Sequence, residues 1–154
     1  MSRFYIPLDK TTGIKVLPDF SQITSIGNWA LFNAFYGCSG LTGSVSFPSL
    51  TSIGSSGLNY AFTNCSGLTG SVTFPSLTSI GRSGLQNAFS GCSGLTGNIS
   101  FPRLTSISKR GLANAFYKCT GITEVHFKSS LSGNSQCTAS NMGCTNATVY
   151  FDLP

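Results

Sequence analysis

Two residue types in this chain are suited to covalent or metal chemistry, cysteine and histidine, and their spacing decides how far that chemistry goes. Four of the six cysteines, Cys38, Cys65, Cys92 and Cys119, follow one another at intervals of 27 residues. Thiols at regular spacing suggest metal ligation, disulfides or nucleophiles. A constant long interval instead places them in one column of a stacked structure, with equivalent side chains pointing the same way. Stacked strands lie about 4.8 Å apart, wider than the roughly 3.8 Å between the Cβ atoms of a disulfide. The column therefore reads as free, buried thiols packing as small hydrophobes. Cys137 and Cys144 stand outside it, in a segment rich in Gly, Ser and Asn, and both pairing and free burial are open to them. The one histidine, His126, brings no second ligand and no carboxylate or nucleophile with it in the sequence. No metal site, cofactor or catalytic group is expected from it. The Gly-Leu-Thr-Gly pieces lack the lysine and the strand-to-helix setting of a phosphate loop and read as turns. Asn64, Asn98 and Asn146 head glycosylation sequons, the first two as a by-product of repeat columns.

The element that spaces the cysteines is a repeat. Cys38–Asn64, Cys65–Gly91 and Cys92–Lys118 are three consecutive copies of one unit, and self-similarity at a fixed period is the mark of a solenoid. A partial copy enters at Ile23, where Ile23-Thr24-Ser25-Ile26-Gly27 matches Leu50-Thr51-Ser52-Ile53-Gly54. The expected organisation is one structural domain. Residues 1–22 form an N-terminal cap, 23–127 about four rungs (full units 38–64, 65–91 and 92–118), and 128–154 a C-terminal cap.

Each unit divides into three pieces. Ser71-Val72-Thr73-Phe74 alternates polar and apolar like a half-buried strand, and Pro75, with no N–H to donate, stops it. Leu77 to Gly81 is extended or turning. Leu85, Ala88, Phe89 and Cys92 then fall at i, i+3, i+4 and i+7, which predicts a two-turn helix with Ser83 as N-cap and Gly94 as left-handed C-cap. The expected fold class is thus an α/β solenoid. Its core columns are Phe47, Phe74 and Phe101, continued by Phe127 after a one-residue deletion; Phe35, Phe62, Phe89 and Phe116; and Leu31, Leu58, Leu85 and Leu112. The alternating stretch from Asn146 to Asp152 is expected to pair as a closing strand.

The residues left facing outward are the candidates for recognition. One face carries two columns, Ser44, Ser71, Asn98 and Glu124 beside Ser46, Thr73, Ser100 and His126, either a plainly solvated sheet or a binding platform. Arg82 and Lys109 align vertically with Arg110 adjacent, a small basic ridge that serves solubility or contact. Trp29 and Phe32 replace Ser56 and Asn59 of the next copy and are expected to pack under the N-terminal cap, with an interface anchor as the other use. Nine Lys or Arg against four Asp or Glu give a net charge of +5, but the cations are scattered, which argues against nucleic acid as a partner. No apolar run reaches the length of a membrane span, so membrane insertion is not expected. The opening residues lack the apolar core of a secretory signal. An intracellular protein, a piece of an exported one and a particle-borne protein all fit.

Leu50-Thr51-Ser52-Ile53-Gly54, Ala61-Phe62 and Cys65-Ser66-Gly67-Leu68-Thr69 resemble the repeat of the BspA-like leucine-rich-repeat proteins, over about residues 23–127. Thr145 to Leu153 resembles the ending of repeat proteins of gut Firmicutes and their phages. Relative to that family's usual unit, Gly57-Leu58-Asn59-Tyr60 and its equivalents are additional. One more helical turn would add about 6 Å of helix and thicken the convex side. The resemblance implies a non-enzymatic binding module on a bacterial surface or phage particle, engaging protein or glycan in adhesion. The alternative is a structural or assembly unit of a virion or surface layer, self-associating through the Trp29 end or a strand edge.

Overall fold

The computed structural model describes residues 16–154. Phe4, Ile6 and Ile14 of the expected N-terminal cap lie outside the described residues. The rest is a solenoid of about five turns, one more than the repeat pattern suggests. One ladder of it is a parallel four-stranded sheet of two-residue strands, β1 (Ser25–Ile26), β2 (Ser52–Ile53), β3 (Ser79–Ile80) and β5 (Ser106–Ile107). The other is built on β4 (Thr96–Phe101), β6 (Gly121–Lys128) and β7 (Thr148–Leu153), all parallel. The earlier turns join this second ladder through single bridges such as Ser46↔Thr73. Its register shifts between Gly97 and Asn98, and Phe101 consequently pairs with Phe127. β7 supplies the fifth turn by pairing with β6, Val125 opposite Val149.

The expected two-turn helices are absent, and their absence is a correction with a clear cause. In the second unit Gly57, Asn59, Ala61, Thr63 and Cys65 donate their N–H groups three residues back, to Gly54, Ser56, Leu58, Tyr60 and Phe62. The intervening Ser56, Leu58, Tyr60, Phe62 and Asn64 donate to the next turn instead, at Arg82, Gly84, Gln86, Ala88 and Ser90, over 2.7–3.1 Å. The segment is a chain of tight turns with a left-handed residue at every fourth position, Ser56 (φ 53°), Tyr60 (φ 58°) and Asn64 (φ 62°). Ser83, offered as an N-cap, is one of these (φ 56°). A repeat of four brings i, i+3, i+4 and i+7 to one side just as a helical period of 3.6 does, so the apolar pattern fits both. Adjacent turns are locked at strand spacing, about 4.8 Å, whereas packed helices need 8–10 Å between axes. A helix in every unit therefore does not fit. The extra Gly57-Leu58-Asn59-Tyr60 is one more tight turn, and it does not thicken the side it occupies. A single short helix, α1 (Ala139–Met142), takes this place in the last turn, where Asn114 and Phe116 donate to Asn141 and Met142.

Inside, equivalent side chains stack. Phe20, Phe47, Phe74, Phe101, Phe127 and Phe151 form one column, with successive ring centroids 4.5, 5.5, 5.7, 5.4 and 5.9 Å apart. Phe35, Phe62, Phe89 and Phe116 form a second at 5.0, 5.1 and 5.8 Å. The two columns meet edge-on, as at Phe74–Phe89, so the strand ladder and the tight turns bound opposite sides of one core. None of the six cysteines forms a disulfide, and all six, Cys137 and Cys144 included, are buried. The column thiols do more than fill space: Cys65, Cys92 and Cys119 each donate to the carbonyl of Phe35, Phe62 or Phe89 in the turn before, at 3.0 Å. Gly94 is not a left-handed cap. A Cβ there would meet the Leu68 carbonyl oxygen at 2.3 Å, so the close approach of neighbouring turns is what requires glycine. Left-handed glycines nearby are Gly91 (φ 77°) and Gly97 (φ 80°) on either side of it.

Candidate functional site

The alternation that buries Val45, Val72, Ile99 and Val125 turns their neighbours outward on the strand ladder. Ser44, Ser46, Thr73, Asn98 and Ser100 are exposed, and Ser71, Glu124 and His126 are half-buried. Ser46 lies opposite Thr73, whose hydroxyl donates to Ser46 Oγ at 2.9 Å. Ser100 lies opposite His126 and Asn98 opposite Glu124. Between the third and fourth turns the face hollows into a groove of about 180 Å³. Val72 and Phe74 form its base, Thr73, Asn98 and Ser100 present polar groups, and Pro75 and Pro102 stand at the end where both strands stop. Two hydroxyls and an amide over an apolar base can exchange hydrogen bonds with a neutral partner, and no group there carries charge.

At the last two turns the character of the face changes. His126 Nδ1 meets the Asp152 carboxylate at 2.9 and 3.0 Å, Nε2 meets Glu124 Oε1 at 2.7 Å, and the ring stacks on Tyr150 with centroids 4.8 Å apart. The expectation of a histidine without carboxylates is thus overturned. Hydrogen bonding to Asp152, then to Glu124, raises the imidazole pKa above its ordinary value. Both ring nitrogens are committed to carboxylates, and no serine or cysteine is bonded to either. The arrangement favours the charged imidazolium and ties β6 to Asp152 of β7, so its chemistry is clamping of the last strand. Asp152 and Tyr150 escaped the repeat pattern because the register shifts again between His126 and Lys128. The legible signal was the alternation of Thr148 to Asp152, which puts Tyr150 over His126.

On the opposite side, Arg82, Lys109 and Arg110 are all exposed. Trp29 and Phe32, expected under a cap, are 59% and 39% exposed, and their rings meet each other at 5.0 Å. A further cleft of about 220 Å³, lined in part by Tyr117, Lys118, Thr145 and Asn146, reaches Cys119 and Cys144. Burial pushes the Cys119 thiol up to about 12 and raises Cys144 as well, so neither supplies a thiolate near neutral pH. Among the described residues no group of three or more His, Cys, Asp or Glu is placed to hold a metal ion, and no helix is long and apolar enough to cross a membrane.

Stacked turns with leucine, isoleucine and phenylalanine columns and an outward polar strand face define a leucine-rich-repeat solenoid. A family model for the BspA type leucine rich repeat region, in six copies, matches residues 31–150, and the chain belongs to that family. Neither the curated proteins nor the solved structures give a match. Repeats of this family act as protein-interaction scaffolds and are typically not enzymes.

Proposed function

We propose that this protein is a non-enzymatic recognition module that engages a protein partner through its strand face, in adhesion at a bacterial surface or on a phage particle. The observation that carries this reading is the groove presenting Thr73, Asn98 and Ser100 between Pro75 and Pro102. It is neutral, open and framed by a hydrogen-bonded ladder, so a partner meets it without rearranging the core. Solenoids recognise partners through extended faces of this kind. The test is a variant carrying Ser71→Glu, Thr73→Glu, Asn98→Glu and Ser100→Glu. These side chains lie off the core, so the variant is expected to melt like the parent and to lose capture of the surface or particle partner. Unchanged capture would remove the strand face from consideration.

A second reading, an assembly unit, is favoured by one feature. β7 is the last strand of its sheet, and Phe151 ends its column only half-buried. An edge of this kind is a template for another chain. Light scattering at increasing concentration separates the readings: growth of the mass beyond a monomer supports assembly, and a constant monomer mass rejects it.

A further inference from the structure

On the side built from tight turns, residue size changes from one turn to the next in a way the core does not require. The columns that hold Trp29, Phe32 and Tyr36 in the first turn hold Ser56, Asn59 and Thr63 in the second. They hold Ser83, Gln86 and Ser90 in the third and Arg110, Ala113 and Tyr117 in the fourth, where bulk returns at the two outer columns. The tight-turn face thus carries its bulkiest side chains at the first and fourth turns, three strand spacings or roughly 14 Å apart, with smaller ones between, a shallow trough in side-chain size. The residues between are small and polar, with Ser56, Asn59, Thr63 and Ser90 buried at 6–8% exposure and Ser83 and Gln86 half-buried.

The first wall is aromatic and open. Trp29, Phe32 and Tyr36 are 59%, 39% and 41% exposed, and Tyr60 braces them with its ring 6.4 Å from Phe32 and 6.3 Å from Tyr36. Trp29 is held at φ 61°, a conformation unfavourable for a bulky residue where the third turn uses serine. These rings lie outside the buried phenylalanine and leucine columns and keep a large part of their surface exposed. Tyr117 on the far wall is 45% exposed, with Lys118 Nζ 5.5 Å from its ring centre. Charge is one-sided too. The tight-turn segments 28–37, 55–64, 82–91 and 109–118 contain Arg82, Lys109, Arg110 and Lys118 and no Asp or Glu.

Exposed aromatic rings beside neutral polar groups are the chemistry that receives sugars, whose C–H faces pack on rings while their hydroxyls find half-buried groups such as Ser83 and Gln86. Cations at one wall select an acidic chain. An extended peptide finds no ladder to join here, because alternate N–H groups of these segments are already bonded between turns. We propose that this trough binds an acidic oligosaccharide, with pyranose rings against Trp29, Phe32 and Tyr36 and carboxylate or sulfate groups toward Arg82, Lys109 and Arg110. The proposal is independent of the strand-face reading, since it uses the other side of the core.

Trp29 is the only tryptophan, so its fluorescence reports on the trough in the intact chain. The probes are a sulfated hexasaccharide, an uncharged hexasaccharide, an acidic hexapeptide and a single-stranded hexanucleotide. Saturable change with the sulfated sugar is expected, weakened at least tenfold for the uncharged sugar and progressively by salt. Arg82→Glu with Lys109→Glu, both exposed positions, should weaken binding at least tenfold while leaving the melting temperature unchanged. Phe32→Ala with Tyr36→Ala should do the same, and the four-Glu strand-face variant should bind the sugar like the parent. No response at millimolar sulfated sugar would overturn the proposal. So would tighter binding of the peptide or the oligonucleotide, or loss of sugar binding in the strand-face variant.

Discussion

Asn87 offers a substitution whose sign depends on the backbone. In a helix, alanine is the better residue than asparagine by up to about 0.7 kcal/mol and better than glycine by about 1 kcal/mol. In the structure Asn87 sits at φ 55°, where an L side chain costs about 1–2 kcal/mol and glycine costs little. The greater freedom of glycine in the unfolded chain takes back about 0.4–1 kcal/mol. The net expectation is that Asn87→Gly is more stable than Asn87→Ala by about 0.5–1 kcal/mol. At roughly 2–4 °C per kcal/mol for a chain of this size, Asn87→Gly should melt about 1–4 °C above Asn87→Ala. A helix would put the alanine variant on top by about 2–4 °C. Calorimetry of the two variants and the parent decides it, and the same comparison at Asn114 (φ 52°) should repeat the sign. Alanine melting above glycine at both positions would refute the tight-turn account of the unit.

Three further outcomes follow from the core and the histidine. Phe89→Ala empties a fully buried place between Phe62 and Phe116, and should cost about 3–5 kcal/mol and roughly 6–20 °C; Phe151→Ala, half-buried at the column's end, should cost about 1 kcal/mol. Equal melting of both variants with the parent would discard the column. His126 has a raised pKa, held first by Asp152 and then by Glu124. Its contribution is therefore fully present below the ordinary value of 6.5 and lost as pH rises through the folded value. After correction for the base-catalysed rise of intrinsic amide exchange, protection in β7 should fall across that rise, and His126→Ala should abolish the fall; protection that increases with pH would contradict it. Burial pushes the thiols of Cys65, Cys119 and Cys137 up to about 12, so an aromatic disulfide reagent at pH 8 should label the native protein slowly and label all six cysteines after denaturation. Fast labelling of the native column would show it open.

Much of the scaffold is legible from residues alone because a fixed period carries its own geometry. Once Cys38, Cys65, Cys92 and Cys119 repeat at one interval, their stacking and that of Phe62 on Phe89 follow, and so does the outward set from Ser44 to His126. The strand at Ser71–Phe74 is marked by alternation and ended by Pro75. The fifth turn is hidden because residues 128–147 depart from the unit, and only the pairing of β7 with β6 brings Phe151 onto Phe127 and Asp152 onto His126.

The sequence by itself determined the solenoid, its columns and the polarity of the strand face, since these depend only on which residues recur at which interval. Tertiary structure alone decided between helix and tight turns at Leu85–Cys92, because one apolar spacing serves a period of 3.6 or of four. The choice falls to the hydrogen bonds between turns, which hold both sides of the core at strand spacing, too close for helices. It also decided that Trp29, Phe32 and Tyr36 stand exposed while Ser56, Asn59 and Thr63 beside them are covered. Exposure is a relation between neighbouring turns and belongs to no residue singly.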